Sequence, residues 1–206
     1  MNNLLAACVR ALARGTSVHE RSSDTAAHPC DPVLRHPTLD DLPQLVTLDR
    51  LTQPVSLHTS ATELKRRITV TPRSILVLEV SGIVCAALYA QRIAEVPALR
   101  STDYARCIQL HCDDGQHIQL LGLYVLPEFH GRGYSDMLIE SILLYARLLG
   151  GVRSVVGVTR CAAYAQHNTD MDLLTYIRAR NERGQILDPM LHFHVSHGAH
   201  IRELLT

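Results

Sequence analysis

Two stretches of the chain place groups where they can do chemistry. The first is Leu123-Tyr124-Val125-Leu126-Pro127-Glu128-Phe129-His130-Gly131-Arg132-Gly133-Tyr134-Ser135, where an apolar run ends at a proline and turns through two glycines into a new periodic segment. A strand–turn–helix junction of this type exposes backbone N–H groups at a helix N-terminus, where the macrodipole also favours an anion. A pyrophosphate suits such a place. Gly131 and Gly133 let the backbone approach a ligand closely, and Arg132 adds charge. Tyr124, Val125, His130, Tyr134 and Ser135 complete the candidate binding set. An ordinary tight turn is the competing explanation. There is no Walker lysine and no GxGxxG, so the common nucleotide-binding loops are excluded.

The second stretch runs from Thr159 to the histidines near the end. Thr159 directly follows the apolar run at 155–158. His194 lies three residues after Leu191 and one before Val195, on the apolar side of a helix that Asp188-Pro189 opens and Gly198 closes. A hydroxyl at a strand end and an imidazole on an inward helix face can stabilise an oxyanion and move a proton near neutrality. The plainer alternatives are a strand-end cap for Thr159, a satisfied core histidine for His194, and a partner for helix carbonyls at His197. His192, His194, His197 and His200 also raise a zinc reading. His200 falls past Gly198, and no cysteine or carboxylate spacing completes a closed set, so no metal is expected.

To hold those groups the rest of the chain must supply a sheet and helices. Periodicity predicts a strand at 33–36, a helix opened by Thr38 with Leu42, Leu45, Val46 and Leu48 on its apolar side, and a basic helix over 61–70. Strands at 74–80 and 83–91 meet at Ser81-Gly82, a hairpin signal. A strand at 117–125, a long helix at 134–149, a strand at 154–158 and helices at 169–181 and from Pro189 follow, and 201–205 begins a last strand. The order β-α-α-β-β-β-α-β-α-α-β predicts an α/β fold, a mixed central sheet flanked by helices, with its last strand short or lacking. Residues 1–31 are expected to be a flexible extension or linker, and 32–206 the domain.

Composition bounds the function. The chain has 206 residues and a formal net charge of +0, with 20 basic and 20 acidic side chains, so the electrostatic footprint of a nucleic-acid binder is not visible. No apolar run approaches the roughly 20 residues that span a bilayer. Six cysteines show no CxxC spacing, and Cys85 sits in an apolar run and reads as a buried thiol. A reducing, cytoplasmic setting is the simplest account.

The loop His130-Gly131-Arg132-Gly133-Tyr134-Ser135 after a strand resembles the acyl-CoA loop of the GNAT acyltransferase superfamily, Gln/Arg-x-x-Gly-x-Gly/Ala. Gly133 matches it, and His130 and Ser135 depart from it. Downstream, Val155-Val156-Gly157-Val158-Thr159-Arg160-Cys161, Tyr164, and Asp188-Pro189-Met190-Leu191-His192-Phe193-His194-Val195-Ser196-His197-Gly198-Ala199 are similar to the GNAT-like domains of polyketide synthase loading modules. The resemblance covers roughly 32–205. It implies an enzyme that handles a coenzyme A thioester, malonyl-CoA or acetyl-CoA, with an acyl carrier protein or other polyketide synthase domains as partners and no nucleic acid or membrane. The implied reaction is malonyl decarboxylation, acetyl loading, or both, with Thr159 and His194 carrying it and His197 beside them. An N-acetyltransferase of a small amine and a degenerate, non-catalytic acyl-CoA-binding domain remain the alternatives.

Overall fold

The computed structural model describes residues 31–102, 106–161, 163–166 and 171–205, with the paired backbone of Val18 and His19. The chain divides into two compact units, Met1–Gly157 and Val158–Thr206.

The first unit is built on one sheet in which strand order follows sequence order. Its strands are β1 (Val18–His19), β2 (Val33–Arg35), β3 (Ile75–Val80), β4 (Ile83–Ile93), β5 (His117–Val125) and β6 (Ser154–Gly157). All neighbours are antiparallel except β5 and β6, which are parallel. The near-continuous apolar runs of β3 and β4 are what a sheet covered on both faces demands, and both strands are buried along almost their whole length. They join through Ser81 and Gly82, both at positive φ (52° and 82°), the two-residue turn whose twist matches its strands.

Helices α1 (Leu42–Thr52) and α2 (Ala61–Val70) build the main core against the sheet, with Leu45, Leu48, Leu64 and Ile68 packed on Ile75, Val77, Tyr89, Leu121 and Tyr124. Helix α3 (Tyr134–Leu148) packs on β3, β4, β5 and β6 through other side chains. Ser60 caps α2, its Oγ accepting from Glu63 N–H at 3.1 Å. Cys85 is fully buried, and burial pushes its thiol up to about 11.

The entry to α1 is locked by a partly buried ion pair. Arg35 donates from both terminal nitrogens to the two Asp41 oxygens, each at 2.7 Å, and Asp41 also accepts from Thr38 N–H at 2.7 Å. Burial pushes the Asp41 carboxyl up, but the Arg35 and Thr38 hydrogen bonds outweigh it and hold the group below the ordinary 3.8. A carboxylate depressed in the folded state stabilises above its unfolded pKa, and that contribution disappears as pH falls through the folded value. Asp41→Asn should therefore cost about 2 kcal/mol at pH 7. Thermal melts as a function of pH should show wild type and variant converging below pH 4; a constant gap down to pH 2 would overturn the assignment.

The second unit holds α4 (Leu173–Tyr176) and α5 (Pro189–Ser196) around a small cluster of Ile177, Ile186 and Leu191.

Several expectations need correction. The helix expected over 169–181 is, among the described residues, only α4, and 169–170 lie outside them. Asp172 sets its start by accepting from Thr175 N–H at 3.0 Å, and beyond it Asn181 Oδ1 accepts from Arg183 and Gln185 N–H, turning the chain into a short bridge from Arg180 to Ile186. Residues 201–205 form no strand. Strand β6 stops at Gly157, one residue early. Val18 and His19 pair with Leu34 and Val33, so part of the stretch expected outside the sheet is held on the edge of β2, whose backbone groups would otherwise lack a ladder partner. The rest of 1–30 lies outside the described residues.

Candidate functional site

In the first unit the site begins where two strands part. Strands β5 and β6 pair from His117 with Ser154 to Leu120 with Gly157. There β6 ends, while β5 runs on to Val125. At the same level the other edge of β5 slips: Leu120 faces Ala90 and Gly122 faces Tyr89, which leaves Leu121 as an extra residue. This bulge bends β5 where its parallel neighbour lets go. From Leu121 onward that edge of β5 has no strand partner among the described residues, so its backbone groups can pair with an extended ligand.

The strand leads directly into the glycine turn. Gly131 and Gly133 take φ of +76° and +75°, and Gly133 is the N-cap of α3. Among the described residues no carbonyl accepts the N–H groups of Gly131, Arg132, Gly133, Tyr134 or Ser135. A cradle of unused amides at a fifteen-residue helix is a suitable seat for a phosphate group. A Cβ on Gly131 would meet nothing within 4 Å, and one on Gly133 only Asp136 Oδ2 at 3.9 Å, so backbone conformation rather than protein packing demands glycine there.

The neighbouring side chains have more specific roles than the sequence suggested. His130 Nε2 donates to the Val125 carbonyl at 2.9 Å, closing the turn back onto the strand end. Arg132 is exposed and lies with Cζ 4.9 Å from the Phe129 ring centroid, and Phe129 stacks on Tyr134 at 6.2 Å. The Tyr124 ring is buried beside Tyr89, at 5.7 Å, so what Tyr124 offers a ligand is backbone.

In the second unit Asp188 organises the helix that carries His194. Its buried carboxylate accepts from the N–H groups of Met190 and Leu191, each at 3.0 Å, and from the Tyr176 hydroxyl at 3.2 Å. At the other end Gly198 N–H donates to Val195 O and Ala199 N–H to His194 O, with Gly198 at φ +88°, a Schellman stop. Leu191 and Val195 belong to the apolar cluster, and His194 lies half-buried on the same helix. Burial lowers the His194 imidazole from its ordinary 6.5, and the His197 charge adds to the effect. His197 Nδ1 donates to Phe193 O at 2.8 Å, so it serves the helix end as its position suggested. Thr159 is half-buried, and its hydroxyl has no hydrogen-bond partner among the described residues. Among the described residues no three His, Cys, Asp or Glu side chains are grouped to hold a metal ion.

Sequence reasoning missed the Leu121 bulge, the His130 clasp and the role of Asp188 beyond helix capping. Of these, the bulge had a sign in the isolated Gly122 beside it, and Asp188 in being a polar residue between Leu187 and Pro189.

A mixed sheet whose parallel strands part above a helix-capping glycine turn defines the acyltransferase fold class. The chain belongs to the acetyltransferase (GNAT) family, whose model matches residues 47–168. It is similar to the loading GNAT-like domain of CurA from Lyngbya majuscula, with 36% identity and a TM-score of 0.81 over 84% of this chain and 87% of that one. It is likewise similar to the GphF GNAT-like decarboxylase in complex with isobutyryl-CoA, at 37% identity and a TM-score of 0.76 over 82% of this chain and 87% of that one. No curated protein sequence matches it significantly. Among the described residues no helix is long and apolar enough to cross a membrane.

Proposed function

We propose that this domain takes a malonyl thioester of coenzyme A, decarboxylates it to the acetyl thioester, and passes the acyl group to the pantetheine of an acyl carrier protein within a polyketide synthase. What carries this reading is the likeness, across more than four-fifths of the chain, to one loading domain and one decarboxylase of the same family. The unused amides of 131–135 would take the pyrophosphate, and the open edge of β5 from Leu121 to Val125 would pair with the pantetheine arm.

In the proposed reaction the bond between carboxylate and α-carbon breaks. Its electron pair moves into the thioester as an enolate, CO₂ leaves, and the α-carbon takes a proton. Thr159 Oγ1 and the His194 N–H would donate to the thioester oxygen as charge develops there, and His194 would hand a proton to carbon. The Asp188 cap and the Schellman stop hold the helix on which His194 rides.

The test is mass spectrometry of the products from malonyl-CoA, with and without a carrier protein bearing its pantetheine. Acetyl-CoA with release of CO₂, then acetylated carrier, is the expected result. A wild type that leaves malonyl-CoA intact but acetylates small amines from acetyl-CoA would replace this reading with that of an N-acetyltransferase. Thioester binding without either reaction would leave a non-catalytic binding domain.

A further inference from the structure

Two segments of the second unit carry the groups proposed to react, and one buried side chain reaches both. Thr159 stands near the start of the segment that runs to Tyr164–Gln166, and His194 rides on α5. Tyr176, the last residue of α4, is fully buried. Its ring packs on the Tyr164 ring at 5.1 Å between centroids, and its hydroxyl donates to Asp188 Oδ2 at 3.2 Å.

Each of these contacts is anchored at its far side. Tyr164 N–H donates to Cys161 O at 2.9 Å, turning Tyr164 back on its own segment, and its hydroxyl donates to Met171 O at 2.8 Å. Cys161, two residues after Thr159, packs against the cluster of Ile177, Ile186 and Leu191. On the other side Asp188 Oδ1 accepts from Met190 and Leu191 N–H, each at 3.0 Å. The carboxylate that Tyr176 holds by one oxygen therefore holds the first turn of α5 by the other. His194 lies less than two turns beyond Asp188, so a tilt at Asp188 is a displacement at His194.

Helix capping alone does not account for this arrangement. A serine caps as well as an aspartate without bringing a charge into the interior. Here a carboxylate and a phenol are both withdrawn from water and paired with each other, a costly way to close a helix end. Burial and the Asp188 charge push the Tyr176 phenol up to about 12, so it stays a donor well past neutrality. What the pair adds is direction, because a satisfied buried polar network resists shift and rotation more than apolar packing does.

We infer that Tyr176 is a positioning residue for the proposed reaction: it is the strut that sets the separation of Thr159 and His194, through Tyr164 on one side and Asp188 on the other. This rests on the reading that those two groups act on a malonyl thioester. A reacting group misplaced by about 1 Å can cost on the order of 10²-fold in rate. The amides of 131–135 belong to the other unit and do not depend on the strut.

The test is the kinetics of acetyl-CoA formation from malonyl-CoA, read by mass spectrometry. Tyr176→Phe removes the hydroxyl and keeps the ring. It should lower kcat by about 10- to 100-fold and leave KM within about twofold of wild type. In a His194→Ala background the same substitution should change the residual rate by less than about twofold, because it acts through the imidazole. Tyr164→Leu loosens the other arm and is the gentler change for folding, since Tyr164 is only half-buried. It should lower kcat by about tenfold and lose that effect in a Thr159→Ala background. Thermal melts establish which variants are folded, and a substitution that only weakens the fold lowers the rate by the same factor in either background. Wild-type kcat in either folded variant overturns the strut, as does an equal factor with and without the group it serves. If Tyr176→Phe does not fold, the Tyr164→Leu cycle decides alone. A wild type that forms no acetyl-CoA from malonyl-CoA overturns the decarboxylation reading, and the strut with it.

Discussion

His194→Ala should slow acetyl-thioester formation from malonyl-CoA by about 10²- to 10⁴-fold, the range of a lost general acid, with a lost oxyanion contact adding to it. Thr159→Ala removes one hydroxyl and should cost about 10²-fold. Both variants should bind coenzyme A as wild type does, because the unused amides of 131–135 belong to the other unit. The imidazole also predicts a pH profile. Burial and the His197 charge lower His194 from 6.5, so its protonated, donating form is lost at a lower pH than for an ordinary histidine. The alkaline limb of kcat/KM should therefore lie below 6.5 and should be missing in His194→Ala. His197→Ala removes the neighbouring charge and should move that limb upward. Equal rates in wild type and His194→Ala would refute the assignment, and a limb unmoved by His197→Ala would refute the coupling.

How far the sequence foretold these groups depends on what fixes each one locally. Helix α2 was legible to the residue because its signals are local: Ser60 caps it, and Pro72 follows its end. The Ser81-Gly82 hairpin and the α5 boundaries at Asp188 and Gly198 were legible for the same reason. The helix expected over 169–181 failed because apolar spacing says nothing about Asp172, which caps the start of α4, or Asn181, whose side chain takes backbone N–H groups and turns the chain. The Leu121 bulge was missed. It comes from the register between β4 and β5, and the isolated Gly122 beside it was its one local sign. Arg67 was read only as one charge of a basic helix. Its neighbours in sequence, Arg66 and Glu63, make an ordinary exposed pair, and only the packing of α2 on the sheet turns Arg67 inward over Tyr89.

Gly133→Val should weaken coenzyme A binding by at least about tenfold, measured by calorimetry. Gly133 caps α3 at φ +75°, which a β-branched residue adopts only under strain of about 1–2 kcal/mol. The strain turns the amides of Arg132 to Ser135 away from a common direction, and the added side chain covers the approach a phosphate needs. The protein itself leaves room for a Cβ, so any loss of affinity reports on the ligand rather than on a clash inside the fold. Gly82→Val supplies the matching control. Gly82 also sits at positive φ, +82°, with nothing within 4 Å of a Cβ, but in the β3–β4 hairpin. The two substitutions should lower the melting temperature by similar amounts, and only Gly133→Val should lower affinity. If both variants bound coenzyme A as tightly as wild type, the glycine turn would not be the phosphate seat. If both lost affinity alike, the effect would belong to stability and not to the turn.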